Sequence, residues 1–481
     1  MRYRFVFSTL GALTLAIGVM LLAPLIVALI YRETAGVGIG MAMLLSVAGG
    51  FLVWRVFSAE ALEINLREGM FIVSCAWVIA FTIGALPYYF TGTFAHFTDC
   101  FFESASGFTT TGASVSTDIE AMPKCILFWR AMTHWLGGMG IILLSVAILP
   151  LIGVGGMQLF RAEVPGPTAD KITPRVAETA RMLWLVYFGL TVIEVVLLML
   201  GGMPLFDSIC HSFATVATGG FSTKNASIGH YQSSYIHFVI SLFMFLAGMN
   251  FALHYAVVTG RFRTAIRDNE LRLYTIIVLA ASALCSIMLI KDLNTPVFTA
   301  IRDGIFQVLS IITTTGFATA DYEIWSPAAQ SLILLLFFIG GCTGSTGGGP
   351  KVMRIDVLLR QAYNELFFLV HPRAVKPPKY GREVIPGKVL RSIWSFFFLY
   401  MGVFGIGMLM MGLMEVDILT ASTSVASALG NIGPAFGTTG PTENYAHIPM
   451  MGKWVLIFCM LLGRLEIYTI LILFAPAFWR K

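Results

Sequence analysis

Long uninterrupted apolar segments constrain this chain more than any other feature of its sequence. Windows such as Leu10–Ile30, Leu273–Ile290 and Ile393–Leu413 each hold eighteen or more mainly apolar residues. A helix of that length crosses the roughly 30 Å hydrocarbon core of a bilayer. Only 12% of the 481 residues are charged, about half the fraction usual in soluble proteins. The sequence therefore predicts an all-α polytopic membrane protein.

Ten membrane-spanning segments are predicted from such windows. They lie near residues 8–30, 37–56, 70–90, 126–151, 181–201, 234–258, 272–290, 328–349 with a continuation to about 370, 390–413 and 452–478. With a cytoplasmic amino terminus, 23 of the 31 Lys and Arg residues fall on the inner side, as the positive-inside rule requires. We therefore expect both termini in the cytoplasm. The first window is not a cleavable signal, because a second span follows it directly.

A short Thr/Gly-rich stretch recurs four times along the chain. Its central glycines are separated by 108, 96 and 117 residues and are Gly112, Gly220, Gly316 and Gly433. Each stretch follows an amphipathic segment too short to span a bilayer, and long apolar helices flank each pair. Duplication of a structural unit leaves such self-similarity. The sequence thus predicts four pseudo-symmetric helix–pore-helix–helix repeats around one central pore.

The predicted repeats divide the chain into five parts. Residues 1–68 form a leading transmembrane hairpin of two helices, and residues 69–160 form pore repeat one. The other three repeats comprise residues 161–260, 261–370 and 371–481, the second of these three carrying a Gly-rich intramembrane loop.

The Thr/Gly stretches have the chemistry of a filter for a monovalent cation. Non-helical backbone at membrane depth is tolerated where it lines a cavity or is buried in protein, and glycine accepts the positive φ that turns carbonyls inward. Four such strands would supply rings of carbonyl oxygens that replace the hydration shell of the ion. The short helices would direct the partial negative charge of their carboxyl ends toward it. A plain helix–loop turn explains one stretch, but not four in register.

With these residues assembled, the chain resembles the Trk/Ktr/HKT superfamily of potassium transporters, most closely the bacterial TrkH type. The resemblance extends over the whole chain and implies potassium uptake across a bacterial inner membrane. It implies that potassium is held by Thr110, Thr111, Gly112, Thr218, Gly219, Gly220, Thr314, Thr315, Gly316, Asn431, Ile432 and Gly433. The intact Gly112 favours potassium, because sodium-transporting members carry serine there. Asn431, Ile432 and Pro434 depart from the motif and imply looser selectivity.

The segment Ile339–Lys351 places six glycines inside a predicted span. Glycine costs roughly 1 kcal/mol relative to alanine in a helix interior, so we expect a flexible intramembrane loop. A phosphate-binding loop is disfavoured, because Pro350 occupies the lysine position and no strand precedes it. The resemblance implies a gate that obstructs the pore below the filter and contains Gly344, Ser345, Thr346, Gly347, Gly348, Gly349 and Arg464. A passive kink for helix packing is the alternative.

Charged and polar residues inside predicted spans are further candidates. Arg464 lies in the last span, where a charge is costly and usually faces the bundle interior or a wet cavity. The resemblance implies that Arg464 pairs with the Gly-rich loop and repels cations, whereas a structural arginine bonded to nearby carbonyls is the alternative. Glu466 is not its obvious partner. We expect Glu103 to support the filter from behind. The first inner helix should be tethered to its neighbours by Arg130, His134 and Trp135. The sequence does not identify a partner for Glu194.

The expected partners follow from the resemblance and from what the chain lacks. The sequence contains no cofactor-binding motif and no nucleotide-binding domain, so control by nucleotide requires a separate subunit. The resemblance implies a homodimer with a cytosolic NAD- or ATP-binding regulatory subunit of the TrkA type, and nothing points to nucleic acid. The basic segment His371–Arg391 is either a solvated loop or a docking surface for a soluble partner or anionic lipid.

Two other functions are alternatives to potassium uptake. A sodium-coupled or weakly selective monovalent cation transporter, which also passes rubidium or sodium, remains the main alternative, and the residues leave symport and passive conduction open. An intramembrane enzyme would require paired Asp on neighbouring spans, a Ser/His dyad or an HExxH motif. The sequence has none of these.

Overall fold

The computed structural model describes residues 1–58, 65–147, 172–374, 377, 379–380 and 383–480. The first helices are α1 (Tyr3–Met20), α2 (Leu22–Tyr31) and α3 (Gly36–Val56). They form the predicted hairpin, in which α1 and α3 pack through glycines: a Cβ at Gly11 would lie 2.5 Å from Trp54 N, and one at Gly50 2.5 Å from Leu15 N. Small residues permit this close approach of backbones in a membrane.

Four units with a common plan follow the hairpin. Each has a long first helix, a short pore helix and an inner helix. The first unit comprises α4 (Leu66–Phe90), α5 (Phe97–Phe108) and α6 (Lys124–Ala147). The second comprises α7 (Ile172–Leu200), α8 (Leu205–Val216), α9 (Ser234–Ala247) and α10 (Phe251–Val258).

The third and fourth units repeat this plan with additions. The third comprises α11 (Phe262–Arg267), α12 (Asn269–Leu293), α13 (Val297–Ile312), α14 (Pro327–Leu336) and α15 (Val352–Val370). The fourth comprises α16 (Gly387–Gly412), α17 (Ile418–Gly430), α18 (Met450–Arg464), α19 (Tyr468–Leu471) and α20 (Pro476–Trp479). A two-residue antiparallel ladder, β1 (Lys379–Tyr380) with β2 (Glu383–Val384), precedes α16. The predicted all-α polytopic class is confirmed.

The outer surface of the helix bundle is apolar. Leu29, Val37, Phe398 and Leu413 are each more than two thirds exposed, at 71%, 71%, 79% and 77%. Six helices are long and apolar enough to cross a membrane, and two bent helix pairs raise the number to eight among the described residues. Large apolar side chains on such a surface face lipid rather than water.

Among the described residues, four of the ten predicted spans are not continuous helices, and the first of them, 8–30, is divided between α1 and α2 at Leu21. The predicted span 234–258 is bent by 101° between α9 and α10, and the span 452–478 is bent by 109° after Arg464. The predicted helix 328–349 ends at Leu336, because the Gly-rich segment follows. The bend after Arg464 includes Glu466 and Ile467, both with positive φ, which no α-helix contains. The end of the predicted span 126–151 and the predicted boundary at 160 lie outside the described residues.

Candidate ion pathway

The four Thr/Gly stretches share one backbone conformation. Two positions before each central glycine, the chain adopts the left-handed conformation with φ of 53°, 55°, 57° and 54° at Thr110, Thr218, Thr314 and Asn431. The central glycines have φ of 83°, 82°, 77° and 105° at Gly112, Gly220, Gly316 and Gly433. A non-glycine residue rarely adopts positive φ, so its recurrence at four aligned positions marks a repeated structural element.

Each pore helix ends with the same hydrogen bond. The amide of the residue before the central glycine donates to a carbonyl five residues earlier, at distances between 2.7 and 2.9 Å. The pairs are Thr111 with Ser106, Gly219 with Ala214, Thr315 with Ser310 and Ile432 with Ser427. This bond is the mark of a Schellman motif, which ends a helix through a left-handed residue. The chain is thereby turned out of each pore helix into an extended filter strand.

Contacts between the strands close them into a ring. A Cβ added at Gly112 would lie 2.1 Å from the carbonyl oxygen of Gly219 in the second quarter. The corresponding atoms would lie 2.0 Å apart for Gly220 with Thr315 and for Gly316 with Ile432, and 2.5 Å apart for Gly433 with Thr111. Each glycine thus packs on a carbonyl of the next quarter, and the fourth quarter closes on the first. These contacts involve eight of the twelve predicted filter residues, and the other four, Thr110, Thr218, Thr314 and Asn431, are the left-handed residues just before them in the chain.

The side chains of the ring are less symmetric than its backbone. Hydroxyl pairs join Thr109 to Thr111 and Thr313 to Thr315, at 2.8 Å in both cases. The second and fourth quarters lack these pairs, because Gly219 and Ile432 replace the second threonine. In the fourth quarter, the Nδ2 of Asn431 instead donates to Thr111 Oγ1 at 3.0 Å and to the carbonyl of Met460 at 2.9 Å.

A buried ion pair supports the filter from behind. Glu103 accepts hydrogen bonds from Arg130 Nε at 2.7 Å and from the amide of Val115 at 3.0 Å. Arg130 also donates to the carbonyl of Ser222 at 3.2 Å and lies 4.1 Å from the ring centre of Phe221. The pair therefore joins the first pore helix to the strands that leave the first and second filter quarters. Sequence reasoning identified both residues but did not pair them, since they are 27 positions apart.

Among the residues described, two of the remaining polar candidates, His134 and Trp135, connect α6 to other parts of the chain, and Glu194 does not. His134 stacks on Phe221 with ring centres 4.1 Å apart, and Trp135 Nε1 donates to Thr191 Oγ1 at 3.2 Å. Glu194 is fully buried in α7, and neither carboxylate oxygen accepts a hydrogen bond from the described residues. The described part of the chain contains no cluster of three or more His, Cys, Asp or Glu side chains that could hold a metal ion.

The segment between α14 and α15, residues 337–351, is a loop that lies directly beneath the filter; we call it the gate loop. Thr346 Oγ1 donates to the carbonyl of Val216, the last residue of α8, at 3.0 Å. The amide of Gly348 donates to Thr314 Oγ1 at 2.7 Å, and a Cβ at Gly348 would lie 2.3 Å from the carbonyl oxygen of Gly430. The gate loop thus contacts the inner ends of three pore helices, α8, α13 and α17.

Arg464 ends α18 beside the gate loop and is buried, at 2% exposure. It donates from Nη1 to the carbonyl of Thr346 at 2.8 Å and from Nη2 to the carbonyl of Gly137 at 3.0 Å. No carboxylate of the described residues lies within 4.0 Å of it. Glu466 pairs instead with Arg354 at the start of α15. A buried cation without a counter-ion therefore joins the gate loop to the inner helix of the first unit.

Comparison with known proteins gives close relatives over the full length. Residues 39–481 match the profile of a family described as TrkH, cation transport protein. The Trk system potassium uptake proteins TrkH of Salmonella typhimurium and Escherichia coli K12 are each 42% identical over 485 positions, covering 100% of both chains. The crystal structure of the potassium transporter TrkH from Vibrio parahaemolyticus matches with a TM-score of 0.93 at 40% identity, again covering 100% of both chains.

Proposed function

The chain belongs to the TrkH family of cation transport proteins, and from this premise we propose that it takes up potassium across a bacterial inner membrane. The family transports cations and is not a family of enzymes. The relatives above are potassium uptake proteins and share the whole length of this chain. The proposed path for the ion is the ring of four filter quarters.

The observation that carries this proposal is the closed ring of glycine–carbonyl contacts. Each central glycine packs on the carbonyl oxygen of the next quarter, so no side chain separates neighbouring strands. Carbonyl oxygens held in rings replace the water shell of a monovalent cation. The four pore helices end at this ring, and their carboxyl-terminal partial charges favour a cation there.

We propose that the gate loop and Arg464 obstruct this path on its inner side. The loop contacts the inner ends of three pore helices, and Arg464 donates to it without a nearby carboxylate. An uncompensated positive charge in a low-dielectric region repels a passing cation strongly. Transport then requires the gate loop and Arg464 to separate or to move away from the axis.

Control of this gate is assigned to a separate cytosolic subunit that binds NAD or ATP, acting on a homodimer of this chain with both termini in the cytoplasm. The support is the family and the charge distribution, since the inner segments carry most of the lysines and arginines. Residues 371–391, between the third and fourth units, are the proposed docking segment.

A less selective monovalent cation transporter is the second candidate, and the fourth quarter favours it. Gly433 has a φ of 105°, whereas the other three central glycines lie between 77° and 83°. Asn431 and Ile432 also replace two threonines there. A ring with one dissimilar quarter holds a cation less uniformly, which lowers its discrimination between potassium and sodium.

Flux measurements in liposomes test the proposal. The purified chain would be reconstituted and the flux of potassium, rubidium and sodium followed for wild type and for Gly112→Ser. We expect a potassium preference that the variant loses, because the serine Cβ would lie 2.1 Å from the carbonyl of Gly219. Gly92→Ser is the matched control, since Gly92 has a φ of 66° but no atom within 4 Å of an added Cβ. Equal potassium and sodium flux in wild type would support the second candidate, and no flux of either ion would contradict both.

A further inference from the structure

Glu270 contacts both the gate loop and the start of α15, although its role could not be seen in the sequence. It is the second residue of α12 and is buried, at 7% exposure. Its Oε1 accepts hydrogen bonds from the amide of Thr343 at 2.7 Å, from Thr343 Oγ1 at 3.1 Å and from the amide of Met353 at 3.2 Å. Thr343 lies in the first half of the gate loop, and Met353 follows its last residue by two positions. One oxygen atom therefore joins the first half of the loop to the helix that follows it.

The two ends of the gate loop are also bonded to each other. The amide of Gly340 donates to the carbonyl of Pro350 at 2.7 Å, and the amide of Val352 donates to the carbonyl of Gly341 at 3.2 Å. These two bonds close residues 340–341 and 350–352 into a neck, from which the rest of the loop extends toward the filter. Glu270 bonds to residues on either side of this neck. Holding this neck fixes where the loop can reach.

Glu270 also completes the amino terminus of α15. The first amides of a helix have no partner within the helix and usually receive one from a capping side chain. Lys351, at the cap position of α15, makes no such bond, whereas Glu270 accepts the amide of Met353 from another helix. No Lys, Arg or His nitrogen of the described residues lies within 4.0 Å of the Glu270 carboxylate. Its identified partners are therefore Thr343 in the gate loop and the amide of Met353 at the start of α15.

The same neck is in contact with the proposed cytoplasmic segments. Met353 belongs to a buried apolar cluster with Val357, Ile385, Val389 and Ile393, against which Tyr380 of β1 packs. Glu270 lies where α11, on the proposed cytoplasmic side, joins α12. The neck is thus held between the α11–α12 junction and the segment that precedes α16.

We propose that Glu270 is a positioning residue of the gate, which fastens the gate loop and the start of α15 to the cytoplasmic end of α12. Movement of this end away from α15 breaks the three hydrogen bonds and releases the loop from the filter. The inference rests on the proposed gating role of the loop. A regulatory partner bound on the cytoplasmic face could then move the gate loop by displacing this end of α12, without contacting the ion path.

Cys342 in the gate loop provides a direct test. Its side chain is buried, at 1% exposure, and it would be kept as the sole cysteine of the chain. A membrane-impermeant thiol reagent would be applied to proteoliposomes while potassium flux is recorded. In Glu270→Ala we expect Cys342 to react at least about tenfold faster, corresponding to about 1.4 kcal/mol, and potassium flux to rise. Glu270→Gln should fall between Ala and wild type, because its amide oxygen still accepts hydrogen bonds.

The control is Asp292→Ala, which removes an exposed carboxylate at the other end of α12 and should leave both readouts at the wild-type level. Labelling of Glu270→Ala within twofold of wild type would overturn the inference, as would faster labelling without a rise in potassium flux. If Glu270→Ala does not yield a monodisperse protein, Glu270→Gln carries the same test. Failure of the proposed function has a different signature, namely no potassium flux in any variant, wild type included.

Discussion

The filter and the inner half of the pore differ in how far they preserve the fourfold repeat. At the filter, all four quarters have a left-handed residue at the same position, the same helix-ending hydrogen bond and the same glycine–carbonyl contact. Below it, α6 is one helix, α9 and α10 are bent by 101°, α14 and α15 are separated by the gate loop, and α18 and α19 are bent by 109°. An ion must be ligated from all sides at once, whereas one obstruction on one side suffices to close a path.

The two regions also differ in which atoms hold them together. In the filter, the central glycine of each strand packs on a backbone carbonyl of the next strand, so that each quarter stabilises its neighbour. In the inner half, individual side chains such as Thr346, Arg464 and Glu270 make the contacts. Changes in the filter should therefore affect the whole ring, while changes in the inner half should alter a single step.

The largest effect is expected for Gly220→Ala. Alanine at a φ of 82° is strained, and its Cβ would lie 2.0 Å from the carbonyl oxygen of Thr315 in the next quarter. Local strain of about 3 kcal/mol corresponds to a loss of potassium flux of roughly a hundredfold. Potassium flux in proteoliposomes measures this loss. Gly433→Ala should lose less flux, because its Cβ would lie 2.5 Å from the carbonyl oxygen of Thr111.

Gly202→Ala separates backbone strain from the clash in the filter. Gly202 lies between α7 and α8 with a φ of 88°, but nothing lies within 4 Å of an added Cβ. It should cost about 1 kcal/mol of stability and leave ion selectivity unchanged. Equal losses of potassium flux for Gly202→Ala and Gly220→Ala would show that the ring contact has no special role.

The repeated region is also the region that the sequence predicted best. The Thr/Gly signal recurs at a nearly fixed spacing, and the residues around Gly112 and Gly316 are almost identical, so alignment alone placed the four quarters. The pore helices were expected as amphipathic segments too short to span a bilayer, and they begin at Phe97, Leu205, Val297 and Ile418. Local sequence decided these features, because helix length and the tolerance of glycine for positive φ are local properties.

The inner half was predicted less well, because its contacts join distant parts of the chain. The bend after Arg464 occurs at Glu466 and Ile467, neither of which is a usual helix breaker. Glu270 and Thr343 are separated by 73 positions, and a lone glutamate near a helix start is indistinguishable from an ordinary capping residue. The glycines at 340–349 predicted a loop, but no local pattern shows what a loop binds.

A smaller effect of opposite sign is expected for Arg464→Ala. A unit charge roughly 8 Å from a cation costs it about 2 kcal/mol at an effective dielectric constant of about 20. Its removal should therefore raise potassium flux by about thirtyfold. Arg464→Lys cannot bond the carbonyls of Thr346 and Gly137 in the same forked manner, but it keeps the positive charge. Because the charge is retained, potassium flux should stay near wild type. If lysine raises flux as much as alanine does, the hydrogen bonds rather than the charge close the path.

The smallest effect is expected for Thr346→Val, which removes one hydroxyl from the gate loop and keeps the side-chain shape. Thr346 Oγ1 donates toward the carbonyls of Val216 at 3.0 Å and Ala247 at 3.3 Å, and loss of such a bond costs about 1 kcal/mol. Potassium flux should rise by about fivefold if the docked loop limits transport. Thr82→Val is the control, because its hydroxyl bonds only within α4 at 2.8 Å to Val78 and its loss should leave flux unchanged. A rise with Thr346→Val but a fall with Gly220→Ala would show that the gate loop obstructs the path, whereas the glycine–carbonyl contacts of the filter support it. A fall with both variants would mean that the gate loop supports the filter, and that the two regions act as one unit.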